Sequence, residues 1–392
     1  MWRHVASNAL TFFVVVLFLV GGLITWGVGQ YRAEGPLDAA ICLNVPSNSS
    51  MRSVSAELAA QGAVTSPTVF RIGVDYEDIG GQLKAGNFLI PAGASMEAIA
   101  AEITGTGAST CGTRVVYRVG VARTVAEVQS LDPATGSFTE TAEFVPGEGE
   151  PPAEYLEARE AADTTFEFDV VPGVTSWQVV QAMGAIDLFE GTVPEVPAEG
   201  SLAPRAYEIE PGTDPAALLA EMEERQAAIL ATAWENRAEG LPIETPEEAL
   251  ILASIVEKET GVPDERPQVA SVFVNRLEQG MRLQTDPTVI YGITNGEGVL
   301  GRGLRASELR AATPYNTYVI AGLPPTPIAN PSREAIEAAL NPATTDFIFF
   351  VADGTGGHAF ATNLEDHNRN VAVWREIEAE QAAAAEAEAS DG

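Results

Sequence analysis

The stretch Thr245-Pro-Glu-Glu-Ala-Leu-Ile-Leu-Ala-Ser-Ile-Val-Glu-Lys-Glu-Thr260 carries the clearest structural signal in the chain. It opens with a threonine, a proline and a glutamate at the positions where helices place a cap, a first residue and a reciprocal capping partner. The run 249–256 is apolar on almost every side, which is typical of a helix buried all round. We therefore predict a buried helix that begins after Thr245 and ends near Gly261.

Glu257 is the candidate catalytic residue at the end of this helix. It lies seven residues after Leu250 and three after Ser254, so it continues a buried side of the helix. Burial disfavours the charged form of a carboxyl group, and the negative end of the helix dipole acts in the same direction. A glutamate in this setting suits a general acid near neutral pH. The alternative is a structural ion pair with Lys258 or with an arginine at the helix end.

Polar and aromatic side chains recur after this helix in otherwise apolar surroundings. A sugar-binding cleft uses such groups, because amides and hydroxyls bond to sugar hydroxyl and N-acetyl groups and aromatic rings pack against sugar faces. Ordinary turn chemistry of asparagine and proline is the alternative for many of them individually. The candidate substrate-binding residues are Gln284, Asp286, Thr288, Tyr315, Asn316, Asn330 and His358.

The chain offers little that would hold a metal ion. It has three histidines and two cysteines, and no CxxC or HExxH motif occurs. His358 and His367 are nine residues apart, which is not the spacing of a zinc protease. We expect no metal and no cofactor.

Four segments in the first half share a strand end, a turn and a capped helix. The turn carries glycine, or Asn48 in the first copy, and a residue that can accept from free N–H groups of the first helical turn follows. The predicted caps are Ser50, Ser95, Thr175 and Asp214. Thr175 and Gln178 fit a capping box. Such units need neighbours to bury their faces, so we predict two small α/β modules, at about 40–112 and 165–230.

The segment between these modules is strongly acidic. The sequence Pro-Gly-Glu-Gly-Glu-Pro-Pro at 146–152 cannot form a helix or a central strand, so we predict an exposed insertion or hinge within 140–169. Before it, 125–131 and 137–145 flank a turn sequence and predict a hairpin. The Ala/Glu-rich tail at 376–392 is expected to fray or to be disordered.

The N-terminus predicts a membrane anchor. The apolar run 10–28 has no charged residue and approaches the roughly 20 residues that cross a bilayer as a helix. Aromatic residues lie near its ends, as interfacial anchors would: Trp2, Trp26 and Tyr31. A cleaved signal peptide is the alternative, but the run is longer than usual and a good cleavage site is missing. Arg3 before the run predicts that the N-terminus stays in the cytoplasm and that the rest lies outside.

Composition and charge narrow the class of protein further. Among 392 residues, 22 are basic Lys or Arg and 55 are acidic, so the net charge is −33. This charge would repel phosphate backbones, and nucleic acid is therefore not an expected partner. Hydrophobic residues at 46% and charged residues at 20% exclude wholesale disorder. In an oxidising compartment Cys42 and Cys111 could pair, or they could be unrelated thiols.

The segments from the buried helix onward resemble the MltG/YceG-like family of inner-membrane endolytic murein transglycosylases. The resemblance covers about 245–375 almost continuously, and it rests on the motifs at 251–260, 269–277, 281–292, 315–318, 322–325 and 349–352, on Gly357-His358-x-Phe360 and on His367-Asn368. A weaker likeness lies at 198–207, where Arg-Ala replaces the family's usual Asp-Thr before Tyr207.

The resemblance implies a LysM-like region ahead of the catalytic domain, which agrees with the repeated modules. We therefore expect an α+β protein with a cytoplasmic stub and transmembrane anchor at 1–32. A LysM-like region should follow at 40–230, with an acidic insertion at about 118–168. The catalytic domain is expected at 245–375, before the tail at 376–392.

The resemblance also implies a reaction. Glu257 would protonate the leaving oxygen of the β-1,4 bond between N-acetylmuramic acid (MurNAc) and N-acetylglucosamine (GlcNAc). As a carboxylate it would then take the proton of the C6 hydroxyl, leaving a 1,6-anhydro end. The implied substrate is nascent peptidoglycan strands, whose length the enzyme would limit, with cell-wall synthases as partners.

Two alternatives to this function remain. One is a muramidase-type hydrolase that pairs Glu257 with Asp286. The other is a membrane-anchored peptidoglycan-binding scaffold without turnover, against which the intact motif around Glu257 argues.

Overall fold

The computed structural model describes residues 2–105, 111–132, 135–161 and 164–391, and among these it describes side chains for 12–383. The α-helices are α1 (Trp2–Arg32), α2 (Met51–Ala60), α3 (Pro67–Tyr76), α4 (Met96–Thr104), α5 (Ala153–Glu160), α6 (Ser176–Ala185), α7 (Pro215–Glu235), α8 (Pro246–Glu259), α9 (Arg266–Glu278), α10 (Asp286–Thr294), α11 (Arg333–Leu340) and α12 (Leu364–Asp391). The strands are β1 (Ile41–Val45), β2 (Gly86–Ile90), β3 (Thr113–Val119), β4 (Thr124–Asp132), β5 (Ser137–Phe144), β6 (Thr164–Val170), β7 (Ala206–Ile209), β8 (Phe349–Ala352) and β9 (His358–Ala361). The predicted α+β class is confirmed.

The strands form three sheets. β1 pairs antiparallel with β2, with Ile41 opposite Ile90, and β8 pairs antiparallel with β9, with Phe349 opposite Ala361. Five strands form the third sheet in the order β5-β4-β3-β6-β7. The predicted hairpin is confirmed as the neighbouring strands β4 and β5.

The chain divides into two compact units. The first comprises Met1–Val116, Glu127–Glu143 and Glu150–Phe166, and the second comprises Tyr117–Ala126, Phe144–Gly149 and Glu167–Gly392.

In the first unit, helices α2, α3 and α4 share a core with strands β1 and β2. Its large buried side chains include Leu43, Leu58, Phe70, Phe88, Ile90 and Ile99. Cys42 and Cys111 form a disulfide, with their Cα atoms 5.8 Å apart. A cross-link between two segments 69 residues apart stabilises the fold by restricting the unfolded chain.

The helix α1 contains a segment, Phe12–Arg32, that is long and apolar enough to cross a membrane. None of its most apolar window is buried, which is consistent with a membrane anchor. Tyr31 differs from the expectation of an interfacial anchor, because its ring packs into the core of the first unit and its hydroxyl donates to Glu77 at 3.0 Å. The side chains of Trp2 and Arg3, on which the predicted orientation depends, lie outside the described residues.

All four predicted strand–turn–helix units are present. Their turn residues adopt the left-handed backbone that glycine enters freely and asparagine tolerates best among the other residues, with φ of 67° at Asn48, 68° at Gly93, 85° at Gly173 and 92° at Gly212. The predicted caps Ser50, Ser95, Thr175 and Asp214 each accept a hydrogen bond from a first-turn N–H group. The capping box of Thr175 and Gln178 is confirmed.

The acidic segment and the tail are more regular than expected. The helix α5 lies within the acidic segment and buries Tyr155 and Ala158, whereas 146–152 forms neither helix nor strand, as predicted. The tail continues α12 as far as Asp391, which corrects the expectation of disorder for 376–391. The physical reason is that alanine and glutamate are strong helix formers.

The helix α8 lies at the centre of the second unit. It packs against α7, α9, α10 and α11. Because neighbours surround it, almost every residue from Ala249 to Val256 is buried, as the apolar pattern predicted. The hydroxyl of Ser254 donates to the carbonyl of Ile251 and accepts from the N–H of Ile328, so its polar group is satisfied inside this core. The helix thus fixes the residues at its C-terminal end.

Candidate active site

Glu257 is buried at the C-terminal end of α8, with 5% of its side chain exposed. Its Oε2 accepts hydrogen bonds from the backbone N–H of Ser332, at 2.8 Å, and from the Ser332 hydroxyl. Its Oε1 lies 3.5 Å from the guanidinium of Arg266 at the start of α9. The alternative of an arginine partner is therefore present in the structure, together with two donors that the sequence analysis did not anticipate.

Ser332 has two roles at this position. Its hydroxyl caps α11 by accepting from the N–H of Ala335, and the same hydroxyl donates to Glu257. The start of α11 therefore meets the carboxyl group, and the partial positive charge of a helix N-terminus favours a carboxylate. Three elements of the second unit, α8, α9 and α11, together set the position of this one side chain.

The turn at Gly173 covers the base of Glu257. A Cβ atom added at Gly173 would lie 3.8 Å from Cγ of Glu257 and 3.5 Å from Cδ of Lys258. Those are ordinary contacts, so the φ of 85° is what requires glycine here. The turn is held by Asn330, whose carbonyl accepts from the N–H of Gly173 and whose side-chain amide donates to the carbonyl of Val174.

A groove with a volume of about 350 Å³ opens beside Lys258, and we call it the Lys258 groove. Its lining includes the polar residues Thr175, Lys258 and Tyr291 and the apolar residues Ile290, Val299, Leu300 and Ile328. The ammonium of Lys258 donates to the carbonyl of Gly173 at 3.1 Å. Burial lowers the pKa of Lys258, although the charges of Glu257 and Glu199 act in the opposite direction.

Glu199 lies next to the Lys258 groove. Its carboxyl accepts from the N–H of Ser176 at 2.8 Å and from the hydroxyl of Tyr291 at 3.2 Å. Burial raises the pKa of Glu199, and these two hydrogen bonds limit the rise. Gly296 packs against this pair, since a Cβ there would lie 3.0 Å from the Tyr291 ring and 3.2 Å from the Glu199 carboxyl.

A second buried carboxyl, Glu259, has different surroundings. It accepts a hydrogen bond from the hydroxyl of Thr285. Burial raises the pKa of Glu259 and the charge of Asp286 adds to the rise, whereas the hydrogen bond of Thr285 and the charges of His358 and Arg276 act against it.

Two predicted binding residues belong to this second region. The hydroxyl of Tyr318 donates to Asp286 at 2.7 Å. Nδ1 of His358 lies 2.8 Å from a carboxyl oxygen of Glu265, whose other oxygen accepts from the backbone N–H of His358. In the structure, Asp286 therefore bonds to Tyr318 and His358 to Glu265. Contact of either residue with a ligand stays a prediction.

Three other predicted residues are fully buried and bond to the protein itself. The side-chain amide nitrogen of Asn316 lies within hydrogen-bond distance of three backbone carbonyls, those of Glu308, Leu309 and Ala311. Thr288 donates to the carbonyl of Thr285, and Asn330 holds the turn at Gly173. These side chains organise the loops around the site.

The two remaining predicted residues are Tyr315 and Gln284. The Tyr315 ring lies 5.1 Å from the ring of Tyr291, and its hydroxyl shares a hydrogen bond with Thr326. Gln284 adopts a left-handed backbone with φ of 52° and its N–H donates to the carbonyl of Thr317. Tyr315 therefore lies close to the Lys258 groove, and substrate contact by either residue stays a prediction.

Sequence reasoning missed Ser332 and Arg266. Ser332 could have been found, because a serine after proline and before Arg-Glu-Ala-Ile has the pattern of a helix cap. Arg266 gave no such signal, since only the packing of α9 against α8 brings it to Glu257. Among the side chains that the structure describes, no group of three or more His, Cys, Asp or Glu residues is arranged to hold a metal ion.

The protein is thus a mixed α+β protein with an apolar N-terminal helix. Its candidate active site is centred on a buried glutamate. The sequence profile of the YceG-like family matches residues 43–373, which is most of the chain. The chain belongs to the YceG-like family.

Two curated relatives are endolytic murein transglycosylases. That of Streptococcus pneumoniae (serotype 2, strain D39) is 37% identical over 181 residues, which are 44% of this chain and 32% of the relative. That of Bacillus subtilis (strain 168) is 42% identical over 121 residues, 31% of this chain and 32% of the relative. The chain thus spans about a third of the length of these relatives. The crystal structure of a YceG-like protein from Listeria monocytogenes aligns with 84% of this chain and 98% of its own at 23% identity, with a TM-score of 0.45.

Proposed function

We propose that this protein is an endolytic peptidoglycan lytic transglycosylase with Glu257 as its catalytic acid and base. It would cleave the β-1,4 bond between MurNAc and GlcNAc in nascent strands, leave 1,6-anhydroMurNAc ends and so limit strand length. The observation that carries the proposal is the buried carboxyl of Glu257, held by Ser332 and Arg266 at the end of α8. The names of the two relatives support the same reaction.

The contacts of Glu257 indicate which oxygen carries the proton in the first step. Oε2 accepts both donors of Ser332, whereas Oε1 has only the longer contact of 3.5 Å with Arg266, so we assign the proton to Oε1. From Oε1 the proton passes to the glycosidic oxygen as the bond to the MurNAc anomeric carbon breaks. The GlcNAc residue leaves with a new hydroxyl group, and positive charge develops on the MurNAc ring.

The second step closes a ring within the same sugar. Glu257 is now a carboxylate, whose charge the donors of Ser332 and the guanidinium of Arg266 stabilise. It removes the proton of the C6 hydroxyl, and the C6 oxygen bonds to the anomeric carbon. The proton lost in the first step is recovered, so Glu257 is regenerated and no water is consumed.

A second carboxylate is not needed in this mechanism, whereas most glycoside hydrolases use two. Asp286, the candidate for a second carboxylate, accepts a hydrogen bond from Tyr318. The Asp286→Asn change should therefore affect turnover less than the loss of Glu257. Equal losses in both variants, with reducing ends as the product of the wild type, would favour the hydrolase.

The remaining regions receive supporting roles in this proposal. Residues 1–32 anchor the protein in the bacterial inner membrane with the N-terminus in the cytoplasm and the catalytic region, 245–375, in the periplasm. The LysM-like region at 40–230 binds glycan, and cell-wall synthases are partners that supply new strands. A topology reporter fused after Gly392 should be active only outside the cytoplasm, and a reporter active inside would contradict this orientation.

The reaction is tested by mass spectrometry of the products that the detergent-solubilised protein releases from peptidoglycan sacculi. We expect muropeptides that end in 1,6-anhydroMurNAc. Products that end only in reducing sugars would contradict a transglycosylase, and the absence of any released product would contradict glycan cleavage.

A further inference from the structure

We propose that the Lys258 groove binds the peptide that MurNAc carries on its lactyl group, and that Lys258 pairs with a carboxylate of this peptide. The inference rests on the proposed function, because it assigns part of the same substrate to a site next to Glu257. It adds a specificity determinant to the reaction, namely a preference for strands that still carry peptides.

The position of the groove follows from the chemistry of the sugar. The MurNAc ring that presents its C1 and C6 atoms to Glu257 carries the lactyl peptide on C3, so the peptide must leave the ring close to the catalytic carboxyl. Lys258 is the next residue in the chain, and Gly173 approaches the side chains of both Glu257 and Lys258. The groove therefore begins where the peptide would emerge.

The charge of the groove fits an anionic ligand. Lys258 donates to one carbonyl, that of Gly173, and an ammonium group has three N–H donors. In the described part of the chain no carboxylate lies within ion-pair distance of it, whereas the other cation of the groove, Arg302, is already paired with Glu308. Lys258 is half-buried, and the charges of Glu257 and Glu199 act on its ammonium only from beyond ion-pair distance, so a peptide carboxylate would supply a direct ionic partner.

The apolar residues of the groove fit the rest of the peptide. Ile290, Val299 and Leu300 line it, and they would pack against a small alkyl side chain such as that of alanine. Its volume of about 350 Å³ is sufficient for a short peptide segment. The polar neighbours Thr175 and Tyr291 already bond within the protein, which leaves Lys258 as the group that determines charge preference.

A binding experiment separates this inference from catalysis. The full chain in detergent, carrying Glu257→Gln to prevent turnover, is titrated in a calorimeter with N-acetylmuramoyl-alanyl-glutamate. The matched probe is the same compound with its carboxylates converted to amides. We expect the acid to bind about tenfold more tightly, as one charge-assisted hydrogen bond would provide. Adding Lys258→Met should abolish the difference, and adding Lys258→Arg should retain it. Equal binding of the two probes, or binding of neither at millimolar concentration, would overturn the inference.

A second experiment uses the rim of the groove, where Val299 is 56% exposed and a charge can be introduced without burying it. The ratio of kcat/KM for peptide-bearing strands to that for strands stripped by an amidase should fall in Val299→Glu and rise in Val299→Lys. If the wild type forms anhydro products from both strands equally and neither variant changes the ratio, the groove assignment is wrong and the reaction stands. If no anhydro product forms but the calorimetric difference persists, the reaction is wrong and the binding assignment stands.

Discussion

Glu257 and Glu259 are two residues apart on α8, yet their surroundings differ. At 3.6 residues per turn, side chains at this spacing leave the helix in nearly opposite directions. Glu257 meets the start of α11 and the guanidinium of Arg266, which together give it three donors. Glu259 meets Thr285, and both burial and the charge of Asp286 raise its pKa.

The partners of a buried carboxyl, rather than its burial, therefore distinguish a candidate catalyst from a structural group. Both glutamates come from the same motif and both are largely buried. Of the two, only Glu257 is held by a charged donor and by the donors of a helix start, and this arrangement supports a cycle between acid and carboxylate.

The largest expected effect comes from Glu257→Gln. The amide is nearly the same size and still accepts from Ser332, but it can neither protonate a leaving oxygen nor take the C6 proton. Release of anhydro-muropeptides should fall by about 10²–10⁴-fold, the usual contribution of general acid–base catalysis. Circular dichroism should confirm that the variant is folded. A variant that is folded and retains near-normal release would refute the role of Glu257.

Ser332→Ala should have the next largest effect, because one change removes both the cap of α11 and a donor to Glu257. We expect kcat to fall about tenfold with a smaller change in KM, since a hydrogen bond to a charged group is lost while the backbone N–H remains. Ser332→Thr should recover most of the activity.

The matched control for this prediction is Thr245→Ala, which removes the cap of α8 but lies at its other end. Both alanine variants should lose about 1 kcal/mol of unfolding free energy, the usual cost of a lost cap. If kcat falls equally in both variants, Ser332 acts through stability alone and does not position Glu257.

A smaller effect is expected from Gly296→Ala, measured against Gly301→Ala. Both glycines line the Lys258 groove with left-handed backbone, φ of 77° and 69°, so the backbone strain of an alanine is matched. They differ in space, because a Cβ at Gly296 would press on Tyr291 and Glu199 whereas one at Gly301 meets no atom within 4 Å. Gly296→Ala should therefore raise KM several-fold more than Gly301→Ala does. Equal KM values for the two variants would show that the Tyr291–Glu199 pair does not shape the groove.

The smallest effect concerns pH and Glu259. Its pKa is raised in the folded state, so as pH rises above the usual range of a glutamate the unfolded chain loses this proton before the folded protein does. This group therefore makes the wild type less stable as pH rises through that window. Glu259→Gln does not titrate, so in thermal unfolding it should match the wild type at acid pH and be more stable at neutral pH. If Glu259→Gln loses as much stability between acid and neutral pH as the wild type does, the prediction is wrong.

Local sequence signals were sufficient for the elements near Glu257. The cap at Thr245, the apolar run after it and the four turns with glycine or Asn48 each depend on neighbours in the chain, and the structure confirms them. The prediction of disorder for the tail was wrong because a composition rich in alanine and glutamate occurs both in disordered segments and in helices.

The partners of Glu257 could not be predicted in the same way. Arg266 and Ser332 reach it through the packing of α9 and α11 on α8, which the hydrophobic pattern of any single helix leaves open. Likewise, the fully buried amides of Asn316 and Asn330 could be read from sequence as ligands or as loop anchors, and only tertiary structure shows the carbonyls to which they donate.

The most direct test of the account compares Glu257→Gln and Glu259→Gln in one experiment, by mass spectrometry of the muropeptides that each folded variant and the wild type release from sacculi. We expect 1,6-anhydro products from the wild type and from Glu259→Gln, and their near-complete loss in Glu257→Gln. Retention of these products in Glu257→Gln together with their loss in Glu259→Gln would contradict it.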